Sequence, residues 1–135
     1  METIEEYADM IQQVMDMIYT ADPSLLQRYG ERGRQKCRED NLHHLKHLET
    51  AFQLGNTSVF TDYALWLEGI LSKHAMKTRT LTDNFQYMLD SLDLARSLDE
   101  RARQAYRQYL EAAIHALQQH EAREASMTTA QGEGN

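Results

Sequence analysis

The sequence is poor in the residues that usually interrupt helices or crosslink a chain. Among its 135 residues there is a single proline and a single cysteine. Long helices therefore meet few breaks, and one cysteine cannot form a disulfide within the chain. Runs that alternate apolar and polar residues, as strands do, are also missing. These absences predict an all-α protein. Because structural disulfides mark oxidising compartments, they also predict a cytoplasmic location.

Long hydrophobic runs and excess positive charge are missing as well. No apolar run approaches the roughly 20 residues that span a bilayer, and the acidic N-terminus does not resemble a signal peptide. The formal net charge is −7. An acidic chain is a poor match for the phosphates of nucleic acids and for anionic membrane surfaces. We therefore expect neither nucleic-acid binding nor membrane binding.

Apolar residues recur with helical spacing along most of the chain. The pattern predicts one folded domain over residues 1–125 and a disordered tail over residues 126–135, where little can be buried. Gly30 and Gly33 predict a charged connector over residues 31–36. The indicated helices cover about residues 3–21, 34–54, 58–72, 80–92 and 98–124. Their uneven lengths and short connections favour an orthogonal packing, and a regular bundle stays open as the alternative.

The most informative stretch is 37–55, where apolar residues share one helix face. A second stripe beside them carries Cys37, Asp40, His44 and His47, at 100° per residue. The next helix is apolar around much of its circumference, which predicts that it is enclosed or lines a cavity. Its Tyr63 and Trp66 would supply the aromatic walls of a pocket.

Metal binding and catalysis find little support in this stripe. Asp40, His44 and His47 stand at i, i+4 and i+7, which can suit zinc, but no HExxH motif or partner pair accompanies them. Cys37 lies two helical turns from His44, without an orienting residue or an oxyanion loop. We therefore expect neither an enzyme nor a metal site, and a solvated polar flank is the simpler interpretation.

A ligand pocket is the remaining interpretation of the stripe. Arg32, Arg34, Lys36 and Arg38 surround Cys37 in sequence, and their charge would lower the pKa of its thiol and bind ligand carboxylates. Asp40 would accept hydrogen bonds from ligand N–H groups. The residues alone leave open that the arginines form an ordinary surface and the aromatics an ordinary core.

The order of residues along the stretch follows a known pattern: a cysteine, an aspartate three residues later, an alanine, a Gly-Asn turn and a Ser-Val run. The residues concerned are Cys37, Asp40, Leu45, Lys46, Ala51, Gly55, Asn56, Ser58 and Val59. This pattern resembles the chromophore-bearing helix of phycobiliproteins, the globin-like antenna proteins. Residues 19–26 extend the similarity backward, and residues 109–113 extend it forward more weakly.

The resemblance implies a globin-like domain of five to six helices that binds a linear tetrapyrrole, biliverdin or phycocyanobilin. Cys37 matches the cysteine that forms a thioether with the bilin. Asp40 matches the aspartate that hydrogen-bonds the central pyrrole nitrogens, and Arg32 falls near a basic residue that meets a propionate. The family's N-terminal helical hairpin has no counterpart, which implies a shortened stand-alone relative that senses light or carries pigment.

Two features modify this expectation. Glu39 stands where the family has an arginine, so propionate contacts would pass to His44 or His47. The last helix is also longer than a core requires, which suggests the alternative of a pigment-free signalling or dimerisation domain. In that case the far end of the helix would pair with a second copy in a homodimer, along Ala113, Ala116 and Leu117.

Overall fold

The computed structural model describes the backbone of residues 6–133 and the side chains of residues 6–127. Five α-helices and one 3-10 turn, Leu92–Leu94, make up this part of the chain, which contains no strand. The prediction of an all-α domain is therefore confirmed. The helices are α1 (Ala8–Ala21), α2 (Ser24–Leu54), α3 (Thr57–Lys73), α4 (Thr78–Asp90) and α5 (Glu100–Glu133).

One apolar core joins the five helices. Helix α5 packs against both α3 and α4, while α2 packs against α1 and α3. Apolar residues at three- and four-residue steps give each helix one buried stripe, as in Met10, Ile11, Val14 and Met15 of α1. The described helices do not combine the length and apolar character needed to cross a membrane.

Helix α2 bends at Gly30, whose φ of 62° and ψ of −155° interrupt an otherwise helical run. The predicted connector over residues 31–36 is wrong, because the chain returns to helical geometry directly after this one residue. Glycine tolerates the positive φ at little cost. The bend also brings Tyr29 across Gly33, where a Cβ atom would lie 2.5 Å from the Tyr29 Cβ. Gly33 is therefore needed for close approach rather than as a helix breaker.

The turn after α2 follows its sequence signals. Gly55 adopts a left-handed conformation, with φ of 62°, and its N–H bonds the carbonyls of Ala51 and Phe52. The side chain of Asn56 then accepts a hydrogen bond from the Ser58 N–H at 3.0 Å. The predicted end of the helix at residue 54 is confirmed, and Asn56 caps α3.

Helix α5 is longer than the sequence indicates. Its Asp99 cap accepts a hydrogen bond from the Ala102 N–H at 2.8 Å. Among its described side chains the last buried one is Leu117, yet the backbone stays helical through Glu133 instead of ending near Glu124. Much of the stretch expected to be a disordered tail, residues 126–135, is thus helical. Residues 134–135, like residues 3–5 of the predicted first helix, lie outside the described part.

Candidate functional site

Cys37 lies half-buried on the flank of α2. The Asn41 side-chain amide donates to the Cys37 carbonyl at 3.0 Å and lies 3.8 Å from its Sγ. Burial raises the pKa of the thiol, the Asp40 carboxylate raises it further, and Arg38 opposes both. The expectation that neighbouring arginines lower this pKa is wrong, because desolvation of the thiolate outweighs their attraction.

The three arginines do not gather at the sulfur. Arg34 lies over the Tyr19 ring, 5.6 Å from its centroid, and its Nε is 3.9 Å from Glu31. Arg32 and Arg38 instead line a shallow depression of about 530 Å³. At 100° per residue, this depression lies on the side of α2 opposite Asp40. Of the three arginines only Arg38 acts on the pKa of the Cys37 thiol, so they do not form a carboxylate-binding cluster around the sulfur.

Asp40 lies on the flank of α2 that faces α3. Its carboxylate forms an ion pair with Lys36 Nζ at 3.2 Å, and half of its side chain is exposed. It is close enough to Tyr63 to add to the effect of burial in raising the pKa of that phenol. It acts in the same way on the Cys37 thiol. Asp40 thus lies within electrostatic range of both groups.

His44 is buried beneath Asp40 and is uncharged. Its Nδ1 lies 2.7 Å from the Tyr63 hydroxyl, and its ring meets Phe85 edge-on at 5.1 Å. Burial lowers the pKa of His44 to about 3, with smaller contributions from His47 and His43. Because the ring is enclosed and its Nδ1 is engaged, His44 is a core residue and a poor partner for a ligand propionate.

An aromatic strip, formed by His47, Tyr63 and Trp66, crosses from α2 to α3. The His47 and Tyr63 rings stack 3.7 Å apart at 13°, and the Trp66 ring lies 6.3 Å beyond Tyr63. Trp66 is 62% exposed. The expectation that α3 is enclosed is therefore wrong, since the strip forms part of an open surface.

Sequence reasoning missed a buried amide pair. Asn41, which is 1% exposed, and Asn84 exchange hydrogen bonds of 3.3 and 2.8 Å between α2 and α4. A signal was present, because Asn41 stands four residues from Cys37 and four from Leu45, on the apolar side of the helix. A polar residue at such a position needs a buried partner.

Two further polar clusters tie distant elements together. The Tyr7 hydroxyl donates to Glu49 at 2.9 Å and lies 3.3 Å from the Tyr106 hydroxyl. Burial is the main cause that raises the pKa of Tyr7 and raises that of Tyr106 to about 12. Buried Glu68 of α3 meets His120 of α5 at 3.0 Å. These contacts lie away from the flank that carries Asp40.

The predicted residues thus divide into two groups. Asp40 and the aromatic strip lie together between α2 and α3, with Cys37 one turn from Asp40 on α2, whereas Arg32 and Arg38 line a depression on another face of α2. Within the described residues, no group of three or more His, Cys, Asp or Glu side chains is placed to hold a metal ion. Comparison with protein families, curated proteins and solved structures found no match to this chain.

Proposed function

We propose that the flank of α2 facing α3 binds a linear tetrapyrrole of the bilin class. The supporting observation is the position of Asp40, half-exposed and within electrostatic range of both Cys37 and Tyr63. A carboxylate accepts hydrogen bonds from pyrrole N–H groups. Exposed Trp66, at the end of the aromatic strip, offers a flat surface to a conjugated ligand.

The ligand's propionates would meet Lys36, His43 and His47 rather than the arginines. Arg38 does not fit this role because it lies about 160° from Asp40 around the helix axis, and Arg32 does not because it lies about 80° away and about 12 Å along the axis. Lys36, His43 and His47 lie within about 60° of Asp40 around the helix axis. Lys36 already pairs with the Asp40 carboxylate at 3.2 Å, so binding would redirect this ammonium toward a propionate.

Cys37 would hold the pigment covalently. Its S–H adds across an exocyclic double bond of the bilin: sulfur bonds one carbon, the proton goes to the neighbouring carbon, and no oxidant is consumed. Only the thiolate is strongly nucleophilic. Because burial raises the pKa of this thiol, attachment would be slow at neutral pH and faster in alkaline solution.

Co-expression of the chain with a bilin source tests this proposal. We expect a coloured protein whose band fluoresces with zinc on a denaturing gel, and no such band for Cys37→Ala. Asp40→Asn should shift or weaken the visible absorption, whereas Asp62→Asn, an exposed carboxylate on α3, should leave it unchanged. A colourless wild-type protein would rule out bilin binding, and colour retained in Cys37→Ala would rule out the covalent form. A reversible spectral change on illumination would indicate a sensor.

A second candidate function is a pigment-free signalling domain that dimerises through the end of α5. It is supported by the exposure of residues 121–127, beyond the last buried residue, Leu117. At 1.5 Å per residue the helix continues for about 24 Å past that point. The dimer interface cannot lie along Ala113, Ala116 and Leu117 as expected, because Ala113 and Leu117 are 0% exposed in the domain core. It would lie closer to the C-terminal end of α5.

Sedimentation of variants near the end of α5 tests this second candidate. Ala122→Glu with Met127→Glu should convert a dimer to a monomer if these exposed residues form the interface. The matched control is Gln118→Glu with Gln119→Glu, which adds the same charge to exposed sites closer to the core. A dimer that survives both pairs of changes does not use this part of the helix.

A further inference from the structure

The side of α2 that faces away from Asp40 carries a symmetric arrangement of charges. Five of the residues that line the shallow depression are Glu31, Arg32, Gln35, Arg38 and Glu39. All five are exposed. Read outward from Gln35, both directions give arginine at three residues and glutamate at four. We refer to these five residues as the symmetric face.

Helical geometry arranges the symmetric face into two edges. At 100° per residue, Glu31 and Arg38 lie about 40° and 60° to one side of Gln35, and Arg32 and Glu39 lie equally far to the other side. Each edge therefore has one acid and one base. Along the axis, the glutamates lie about 6 Å and the arginines about 4.5 Å from Gln35.

A second copy of the same face, related by a two-fold axis at Gln35, is complementary to the first. When the two helices run antiparallel, Glu31 of one copy meets Arg38 of the other on the same edge. Glu39 likewise meets Arg32, and the symmetry repeats both pairs. Within each of the four pairs, the glutamate and the arginine differ in position along the helix axis by only about 1.5 Å, which long side chains accommodate readily.

We propose that this chain forms an antiparallel homodimer through the symmetric face of α2. A parallel two-fold would also oppose acids and bases, pairing Glu31 with Arg32 and Arg38 with Glu39. The antiparallel arrangement is chosen because the helix macrodipoles then attract instead of repelling. The occupant of the face is therefore another copy of this chain.

The charges of the symmetric face are available for such pairing. Arg32, Arg38 and Glu39 form no ion pair with any other described residue, and Glu31 has only a 3.9 Å contact with Arg34 while its side chain is 86% exposed. The face sums to zero charge, so it spares two copies of a protein of net charge −7 from repulsion at the contact. Exposed ion pairs are individually weak, so the dimer is a dynamic, salt-sensitive one.

Charge-changed variants of the full chain, studied by sedimentation equilibrium at low salt, test the dimer. Arg32→Glu/Arg38→Glu makes the face wholly acidic, and Glu31→Arg/Glu39→Arg makes it wholly basic. Each should be monomeric alone, with self-association weakened by about tenfold or more. Mixed together, they should form a heterodimer. Attraction between net charges cannot explain that result. Each substitution changes the charge by two, so the net charge of −7 becomes −11 in the first variant and −3 in the second, and the two chains still repel.

Two edge variants fix the direction of the helices. Glu31→Arg/Arg38→Glu exchanges the charges along one edge, which preserves every antiparallel pair but opposes like charges in a parallel dimer. Glu31→Arg/Arg32→Glu preserves every parallel pair but opposes like charges in an antiparallel dimer. Both keep the net charge at −7. We expect the first to dimerise and the second not to. The opposite result would overturn the antiparallel arrangement.

Salt dependence and two further outcomes show whether the dimer forms through the symmetric face. Wild-type association should fall sharply as salt rises to 1 M, where the screening length is about 3 Å. A wild-type chain that stays monomeric at low salt would overturn the proposal, as would a dimer that all these variants leave intact. The result is independent of bilin binding and of α5, since those proposals rest on other surfaces.

Discussion

The burial of uncharged His44 predicts that acid destabilises the fold through this one side chain. Its ring is held between the Tyr63 hydroxyl and Phe85, with a pKa lowered to about 3 from 6.5. The unfolded chain takes up a proton as pH falls below 6.5, whereas the folded chain resists protonation until about pH 3. The stabilising contribution of neutral His44 to the free energy of unfolding is therefore complete above pH 6.5. It is lost as pH falls from 6.5 toward 3.

The magnitude follows from the size of the pKa shift. At about 1.4 kcal/mol for each pKa unit, the full effect of His44 is about 5 kcal/mol between pH 6.5 and pH 3. Only part of it is needed for a measurement. Between pH 7 and pH 5.5 the loss should be about 1 kcal/mol, and by pH 4.5 it should reach about 2–3 kcal/mol.

Urea unfolding followed by circular dichroism at these pH values measures the effect. The test variant is His44→Gln, which keeps an amide near Tyr63 but does not titrate. Its free energy of unfolding should fall less on acidification than that of the wild type, by the amounts given above. His115→Gln removes an exposed histidine on α5 that does not contribute to the His44 pKa and should retain the wild-type dependence. Parallel pH profiles for wild type and His44→Gln would refute the reasoning.

Three further predictions concern α2. Gly33→Ala should lower the free energy of unfolding by about 1–3 kcal/mol in urea titrations, because its Cβ would lie 2.5 Å from that of Tyr29; an unchanged midpoint would contradict this close approach. Asn41→Leu should cost about 1–3 kcal/mol by leaving Asn84 unpaired, and the added change Asn84→Leu should recover part of that loss, which a double-mutant cycle measures. Cys37 should alkylate more slowly with iodoacetamide at neutral pH in the folded chain than in urea, and its rate should keep rising at pH values where an ordinary thiol levels off; equal rates would contradict the raised pKa.

The sequence predicts the apolar stripes and the turns well, because both depend on residues close together in the chain. Leu45 and Leu48 recur at helical spacing and are buried, and Gly55 ends α2 in the left-handed conformation that its position indicates. The break predicted at residues 31–36 failed because breaker residues show where a helix can bend, not whether it stops. Gly30 alone absorbs the bend.

The environment of the candidate site could not be read from sequence. Periodicity places Cys37, Asp40 and His44 along one flank of α2, as observed, but it does not say how deeply each is buried. That depth depends on α3 and α4, and it decides that the Cys37 pKa rises and that His44 stays uncharged. Helix spacing places Arg38 about 100° and Arg32 about 140° from Cys37 around the axis, so the arginines cannot surround the sulfur as their nearness in sequence suggested.

Trp66 has a consequence for how this protein can be observed. It is the only tryptophan in the chain and is 62% exposed in the folded state. Its emission should already be that of a hydrated indole, so unfolding will change its wavelength little. The same indole lies on the surface proposed to bind a bilin, where energy transfer to a bound pigment would quench it. If that proposal holds, intrinsic fluorescence would report pigment binding, while it reports folding poorly.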